Sequence, residues 1–161
     1  MSAAHTSAPA GDGHYLVVTA RFNALVTERL ADAARAALEA NGVAADRIVE
    51  RSVPGAWELP AVAARAAASG RFRAIVACGA VIRGETPHFE HVARASVDAL
   101  ARIQCDSGIP VGLALLTTDT LEQALNRAGG KAGNKGAEAA LAALETERVI
   151  AGLAGEGTRD A

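Results

Sequence analysis

Four short strand-like segments, three of them apolar runs and each followed by a stretch with helical spacing, constrain this 161-residue chain more than any other feature. The first, Tyr-Leu-Val-Val-Thr-Ala at 15–20, is apolar almost without alternation. A strand with one wet face alternates polar and apolar residues, whereas an unbroken run fits a strand covered on both faces, as in parallel sheets. Similar runs cover 72–80 and 109–117, the last with its proline near the start, where a missing donor is tolerated, and 46–53 reads as a further strand. Asn23 predicts the N-cap of a helix carrying Val26, Leu30, Ala34 and Leu38, with Asn41-Gly42 as its stop. A second helix is expected over 58–69, with Pro60 in its first turn. Thr86-Pro87 reads as N-cap and N1 of a third, which reaches about Cys105. Asp119 with Glu122 reads as cap and N3 of a short helix ending at 127 or 128. A glycine-rich break over 129–136 then precedes a last helix at 137–153. Strands alternating with helices specify a three-layer α/β/α sandwich, a four-stranded parallel sheet with helices on both faces. No repeat or linker divides it, so 14–155 is expected to be one domain, between a disordered tail at 1–13 and a flexible C-terminus at 156–161.

Composition then excludes whole classes of function. Half the residues are apolar, 21% are charged and the net charge is −2, so there is no basic stripe of the kind nucleic acid requires. No apolar run approaches the roughly 18 residues of a membrane span. The first dozen residues are small and polar without a basic start, which is not a signal peptide, and the expected location is the cytoplasm. Cys78 and Cys105 form no CxxC pair, and both read as free core thiols. His5 and His14, beside the tail, are not read as metal ligands. Aromatics make up only 3% of the chain, so the positions of Phe22, Trp57 and Phe89 call for an explanation.

In parallel α/β sheets, ligands bind beyond the carboxyl ends of the strands. Here those ends are Arg21-Phe22-Asn23, 54–58, 79–88 and 117–119, and the polar and aromatic oddities of the chain fall there. Gly84-Glu85-Thr86-Pro87-His88 opens a helix directly after a buried strand, which offers unpaired amides to an anion, or is an ordinary cap. His88, expected one turn in, suits proton transfer near neutral pH, or is a solvated histidine. A metal reading of His88-x-x-His91 with Glu85 and Glu90 fails, because the two carboxylates cannot both share a face with the imidazoles. Arg127, Lys131 and Lys135 surround the glycine-rich turn, which is no Walker loop because it lacks Gly-Lys-Ser/Thr. Those cations suit a phosphate, or merely solvate a turn. Phe22 and Trp57 offer a flat wall for a ring, or pack in the core, and Glu58 is an acceptor at the same mouth or a first-turn residue complementing the helix dipole.

Five segments, in order and correctly spaced, closely resemble the lumazine synthase family over about residues 15–153. They are Arg-Phe-Asn at 21–23, Val-Pro-Gly-Ala-Trp-Glu-Leu-Pro at 53–60, Cys-Gly-Ala-Val-Ile-Arg-Gly-Glu-Thr-Pro-His-Phe at 78–89, Leu-Leu-Thr-Thr-Asp-Thr-Leu-Glu-Gln-Ala at 115–124 and Arg-Ala-Gly-Gly-Lys-Ala-Gly-Asn-Lys-Gly-Ala-Glu-Ala-Ala at 127–140. The resemblance implies a flavodoxin-like fold and a cofactor-free, metal-free transferase acting at the penultimate step of riboflavin synthesis. In that reaction the amine of 5-amino-6-(D-ribitylamino)uracil attacks the carbonyl of 3,4-dihydroxy-2-butanone 4-phosphate to give an imine. Phosphate leaves, and the second nitrogen closes the ring with loss of water. By the same carry-over Phe22 stacks on the pyrimidine, while Ala56, Trp57 and Glu58 hold it and its ribityl chain. Ala80, Val81 and Ile82 line the pocket; Glu85, Thr86 and Arg127 hold the phosphate; His88 moves the proton; and Lys135 is an auxiliary cation.

Two positions depart from the family pattern. Leu113 stands where many relatives carry Phe, which thins one aromatic wall but keeps it apolar. Glu85 sets a carboxylate beside a phosphate site, so its amide is expected to bind while its side chain points to solvent. The resemblance also implies pentamers with sites shared between subunits, a functional link to riboflavin synthase, and no nucleic-acid or membrane partner. The compact turn at 127–136 favours the sixty-subunit shell of some relatives, although the Ala-, Ser- and Gly-rich tail is a poor strand for pairing with a neighbour. The alternative is a non-catalytic flavin- or lumazine-binding, or shell-forming, relative on the same fold. A receiver domain or a flavodoxin fits less well, since the strand mouths lack the acidic cluster of the first and the Ser/Thr-Gly loop of the second.

Overall fold

The computed structural model describes residues 13–156. The expectations for 1–12 (with His5) and for 157–161 lie outside the described residues. The elements run β1 (His14–Ala20), α1 (Ala24–Ala40), β2 (Ile48–Val53), α2 (Leu59–Ala68), β3 (Phe72–Ile82), α3 (His88–Ser107), β4 (Val111–Thr118), α4 (Leu121–Arg127), β5 (Ala128–Gly130), β6 (Gly133–Asn134) and α5 (Lys135–Glu156). Strands β1 to β4 form one parallel sheet in the order β2-β1-β3-β4. Successive residues of β1 face opposite sides. Tyr15 and Val17 meet α1 and α5, while Leu16, Val18 and Ala20 meet α2 and α3. The unbroken apolar runs therefore serve two cores, one on each face of the sheet, which gives the expected three-layer sandwich. No helix among the described residues is long and apolar enough to cross a membrane.

The closest helix packing depends on two glycines. A Cβ on Gly136 would fall 2.0 Å from the Leu30 carbonyl oxygen, and one on Gly112 would fall 2.4 Å from that of Ala139. Both let α5 lie directly on α1 and β4. At the amino end of the sheet the Glu147 carboxylate is buried between Arg73, whose Nε donates to it at 2.7 Å, and the Tyr15 hydroxyl, which donates at 3.4 Å. Burial, reinforced by that carboxylate, raises the Tyr15 pKa.

Several local expectations need correction. Residues 45–47 form a 3-10 turn, so β2 starts at Ile48. β3 continues two residues to Ile82 because β4 offers Thr117 and Thr118 as partners for Val81 and Ile82. The cap of α4 is Thr120 with Gln123 at N3, one residue later than read. Thr120 Oγ1 accepts from the Gln123 amide at 3.1 Å, and the Asp119 carboxylate goes to Arg83 instead. The glycine-rich break holds a small antiparallel hairpin, β5 with β6. α5 then starts at Lys135 rather than at 137, because Asn134 Oδ1 accepts from the amides of Gly136 (2.8 Å) and Ala137 (3.4 Å). Of the two thiols only Cys78 is buried; Cys105 is exposed, because it lies on the outer face of α3.

Candidate active site

The chain leaving β1 runs beside the chain leaving β2. The amides of Arg21 and Phe22 donate to the carbonyls of Val53 and Pro54, both at 2.8 Å. Asn23 follows in the left-handed region (φ 62°, ψ 46°), the only non-glycine residue there among the described residues. It occupies the N-cap position as expected, but its side chain makes no cap bond. Nδ2 instead donates to the Ala80 carbonyl at 2.8 Å and so ties the exit of β1 to β3. Asparagine is one of the few residues that tolerate this backbone conformation.

Gly55 sets the aromatic wall. A Cβ there would lie 2.5 Å from Cδ2 of Phe22, so only glycine lets the ring lie across the turn. One oxygen of Glu58 accepts from the Gly55 amide at 3.0 Å, which makes the carboxylate a brace of the turn at 55–58 as well as a polar group at the mouth. Phe22 and Trp57 remain 65% and 62% exposed, so neither is a core residue. Ala56, Ala80 and Val81 are buried and Ile82 half-buried around the same strand ends. Residues 83–88 are all exposed, with Glu85, Thr86 and Pro87 running into α3. Pro87, not Thr86, is the cap, and His88 is the first helical residue rather than one turn in. The imidazole therefore stands at the opening itself, beside the free amides that make a helix N-terminus attractive to anions.

A second group lies elsewhere. Leu113 pairs with Ala77 on the edge strand β4, three residues before the register of Ala80 and so about 10 Å from the mouth. It is 47% exposed and shares with Lys135 a cleft of about 480 Å³ between α3, β4 and α5. Pairing of Ala128 with Asn134 makes Arg127 and Lys135 the next residues on the two sides of the hairpin. Arg127 donates to the Gln123 carbonyl at 3.2 Å, and Lys135 pairs with Glu138 at 2.7 Å. Their supporting alanines, Ala124, Ala128 and Ala139, belong to the core under α1 and α5, whereas Phe89, next to His88, belongs to the core under α2 and α3. A larger cleft, about 530 Å³ between α1 and β2, is lined by none of the expected site residues. Among the described residues no three His, Cys, Asp or Glu side chains gather as a metal site.

The model of the 6,7-dimethyl-8-ribityllumazine synthase family matches residues 12–151. The chain belongs to that family. It is similar to the 6,7-dimethyl-8-ribityllumazine synthase of Nitratidesulfovibrio vulgaris (strain DSM 19637 / Miyazaki F), with 50% identity over 136 residues, 84% of this chain and 87% of the relative. It is also similar to the 6,7-dimethyl-8-ribityllumazine synthase of Gemmatimonas aurantiaca, with 57% identity over 138 residues, 85% of this chain and 84% of the relative. Four of the lumazine synthase motifs, at 21–23, 53–60, 78–89 and 115–124, thus sit at the strand ends of the sheet, and the fifth, at 127–140, lies on the hairpin and the start of α5. Missed in the sequence were the bond from Asn23 to Ala80, the fit of Gly55 under Phe22, and Arg83. The first two join residues distant in sequence or absent as side chains; only the charges at 83, 90 and 119 left a legible trace.

Proposed function

We propose that the chain condenses 5-amino-6-(D-ribitylamino)uracil with 3,4-dihydroxy-2-butanone 4-phosphate to 6,7-dimethyl-8-ribityllumazine. The observation that carries this reading is a pair of exposed rings, Phe22 and Trp57, at the parallel strand ends, next to a helix opening that bears His88. The pyrimidine lies on Phe22, with Ala56, Trp57 and Glu58 along it and its ribityl chain, and with Ala80, Val81 and Ile82 behind it. The amides at Glu85 and Thr86 hold the phosphate, with Arg127 as its cation and Lys135 as an auxiliary. The primary amine adds to the ketone and loses water to form the imine. His88 takes the proton from the adjacent carbon as phosphate leaves. The resulting enol tautomerises to a ketone, and the ribityl-bearing nitrogen closes the ring with loss of a second water. Orientation of two small reactants supplies up to roughly 7–11 kcal/mol in ideal cases.

The reading includes a shared site, with Leu113, Arg127 and Lys135 coming from a neighbouring subunit of a pentamer, and twelve pentamers closing into a shell. It is supported by the separation of the two groups between layers and by the apolar exposure of Leu113 on an open sheet edge. A cytoplasmic location and a functional link to riboflavin synthase follow from the same reading, with residues 14–155 acting as one domain. No observation favours the non-catalytic alternative. The test is incubation with both substrates while lumazine absorbance is followed. Wild type is expected to turn over, and His88→Ala to lose about 10²-fold or more in kcat with its fold intact. No product from wild type overturns the assignment, and a His88→Ala rate within twofold of wild type removes His88 from the chemistry.

A further inference from the structure

Arg83 is the last residue before the open loop at 84–87. Its amide donates to the Thr118 carbonyl at 2.9 Å, which locks the end of β3 to the end of β4. Its guanidinium meets three groups from two segments, Asp119 just after β4 and the neighbours Phe89 and Glu90 in the first turn of α3. Nε donates to Asp119 Oδ1 at 2.7 Å, Nη1 lies 3.6 Å from Glu90 Oε1, and Cζ stands 4.4 Å from the centre of the Phe89 ring. Phe89 is buried, so that ring is a fixed platform. One side chain thus joins the segment entering the loop, the helix turn leaving it, and the strand end that leads to α4 and Arg127. The loop between has space around it. A Cβ at Gly84 would meet nothing within 4 Å, and Glu85, Thr86 and Pro87 are exposed.

Two carboxylates face this one cation, so Arg83 is already compensated and is poorly suited to capture a phosphate itself. Its Nε serves Asp119 while its Cζ stands over the Phe89 ring, a pair of contacts that a lysine ammonium reproduces poorly. We infer that Arg83 is a positioning residue: joined to Asp119, Glu90 and Phe89, it holds the loop at 84–87 and the first turn of α3 in register for the substrate phosphate and for His88. The inference rests on the function proposed above and adds to it what keeps an exposed loop in its binding geometry. Placement errors of an ångström are costly in catalysis, whereas an exposed ion pair stabilises a fold by little. Loss of Arg83 is therefore felt in the reaction before it is felt in stability.

The experiment measures steady-state constants, the thermal midpoint and amide hydrogen exchange for wild type, Arg83→Ala, Arg83→Lys and Asp119→Asn. For Arg83→Ala, KM for the butanone phosphate is expected to rise about tenfold and kcat to fall severalfold. KM for the pyrimidine, held on Phe22, stays within twofold. Arg83→Lys recovers little of the loss, Asp119→Asn shifts the same constants in the same direction by less, and amides at 84–90 exchange severalfold faster. Equal rises in both KM values, full rescue by lysine, or unchanged constants overturn the inference. If Arg83→Ala does not fold, Arg83→Lys and Asp119→Asn decide by the same split. If wild type forms no lumazine, the proposed function fails. Exchange then decides alone: unchanged protection at 84–90 in Arg83→Ala overturns the positioning role, and faster exchange confined to that stretch upholds it.

Discussion

At the residue scale, Asn23 holds a backbone conformation that glycine adopts freely, and its side chain spends its donor on the Ala80 carbonyl rather than on its own helix. The two contributions are separable. Asn23→Gly relieves the backbone and loses the bond, which is expected to cost about 1 kcal/mol in urea unfolding. Asn23→Asp keeps the size and much of the left-handed tolerance, but sets a carboxylate oxygen against a carbonyl oxygen. It is expected to be the less stable variant of the two and to raise KM for the pyrimidine, because Phe22 precedes it and Ala80 lies behind the same pocket. An Asp variant as stable as wild type would show that the bond to Ala80 contributes nothing.

At the element scale, α4 shows how a one-residue shift in a cap changes which residues matter. A seven-residue helix is too short to be stable by propensity, so it depends on its ends and its packing. Thr120 and Gln123 satisfy each other's amides, and Glu122, which the sequence pattern also fits, stands outside that box. Thr120→Ala is therefore expected to cost about 1 kcal/mol, and Glu122→Ala only a few tenths. Because Arg127 is the last residue of α4, Thr120→Ala is also expected to raise KM for the phosphate substrate and to spare that for the pyrimidine. Chemical unfolding and steady-state kinetics of the pair check both statements. A larger loss from Glu122→Ala would restore the earlier cap.

At the scale of the whole molecule, the two halves of the proposed site sit in different layers of one chain. His88 opens a helix above the α2 and α3 core, while Arg127 and Lys135 flank a hairpin above the α1 and α5 core. If the missing half comes from a neighbour, His88→Ala and Arg127→Ala proteins, each inactive alone, regain activity when dissociated, mixed and reassembled. Some pockets then carry both defects and others carry neither. No recovery despite demonstrated subunit exchange would place both residues in one chain's pocket. Sedimentation in phosphate buffer separates the pentamer from the shell, and an active monomer would end the shared-site reading.

Periodicity and composition determined the layered fold, since apolar runs without alternation have nowhere to go except a sheet covered on both faces. The same reading placed Phe22, Trp57 and His88 at strand ends, because strand order and ligand position are linked in such sheets. Tertiary structure decided what local pattern leaves degenerate. Thr120 rather than Asp119 caps α4, because Asp119 is drawn to Arg83 across the ends of β3 and β4. Cys105, between Gln104 and Asp106, faces outward because the rotation of α3 is set by Phe89, Ala93 and Leu100 against the sheet. Asn23, Gly55 and Arg83 act through partners that only folding brings within reach, and no spacing along the chain encodes a distance between segments that meet only in the folded state.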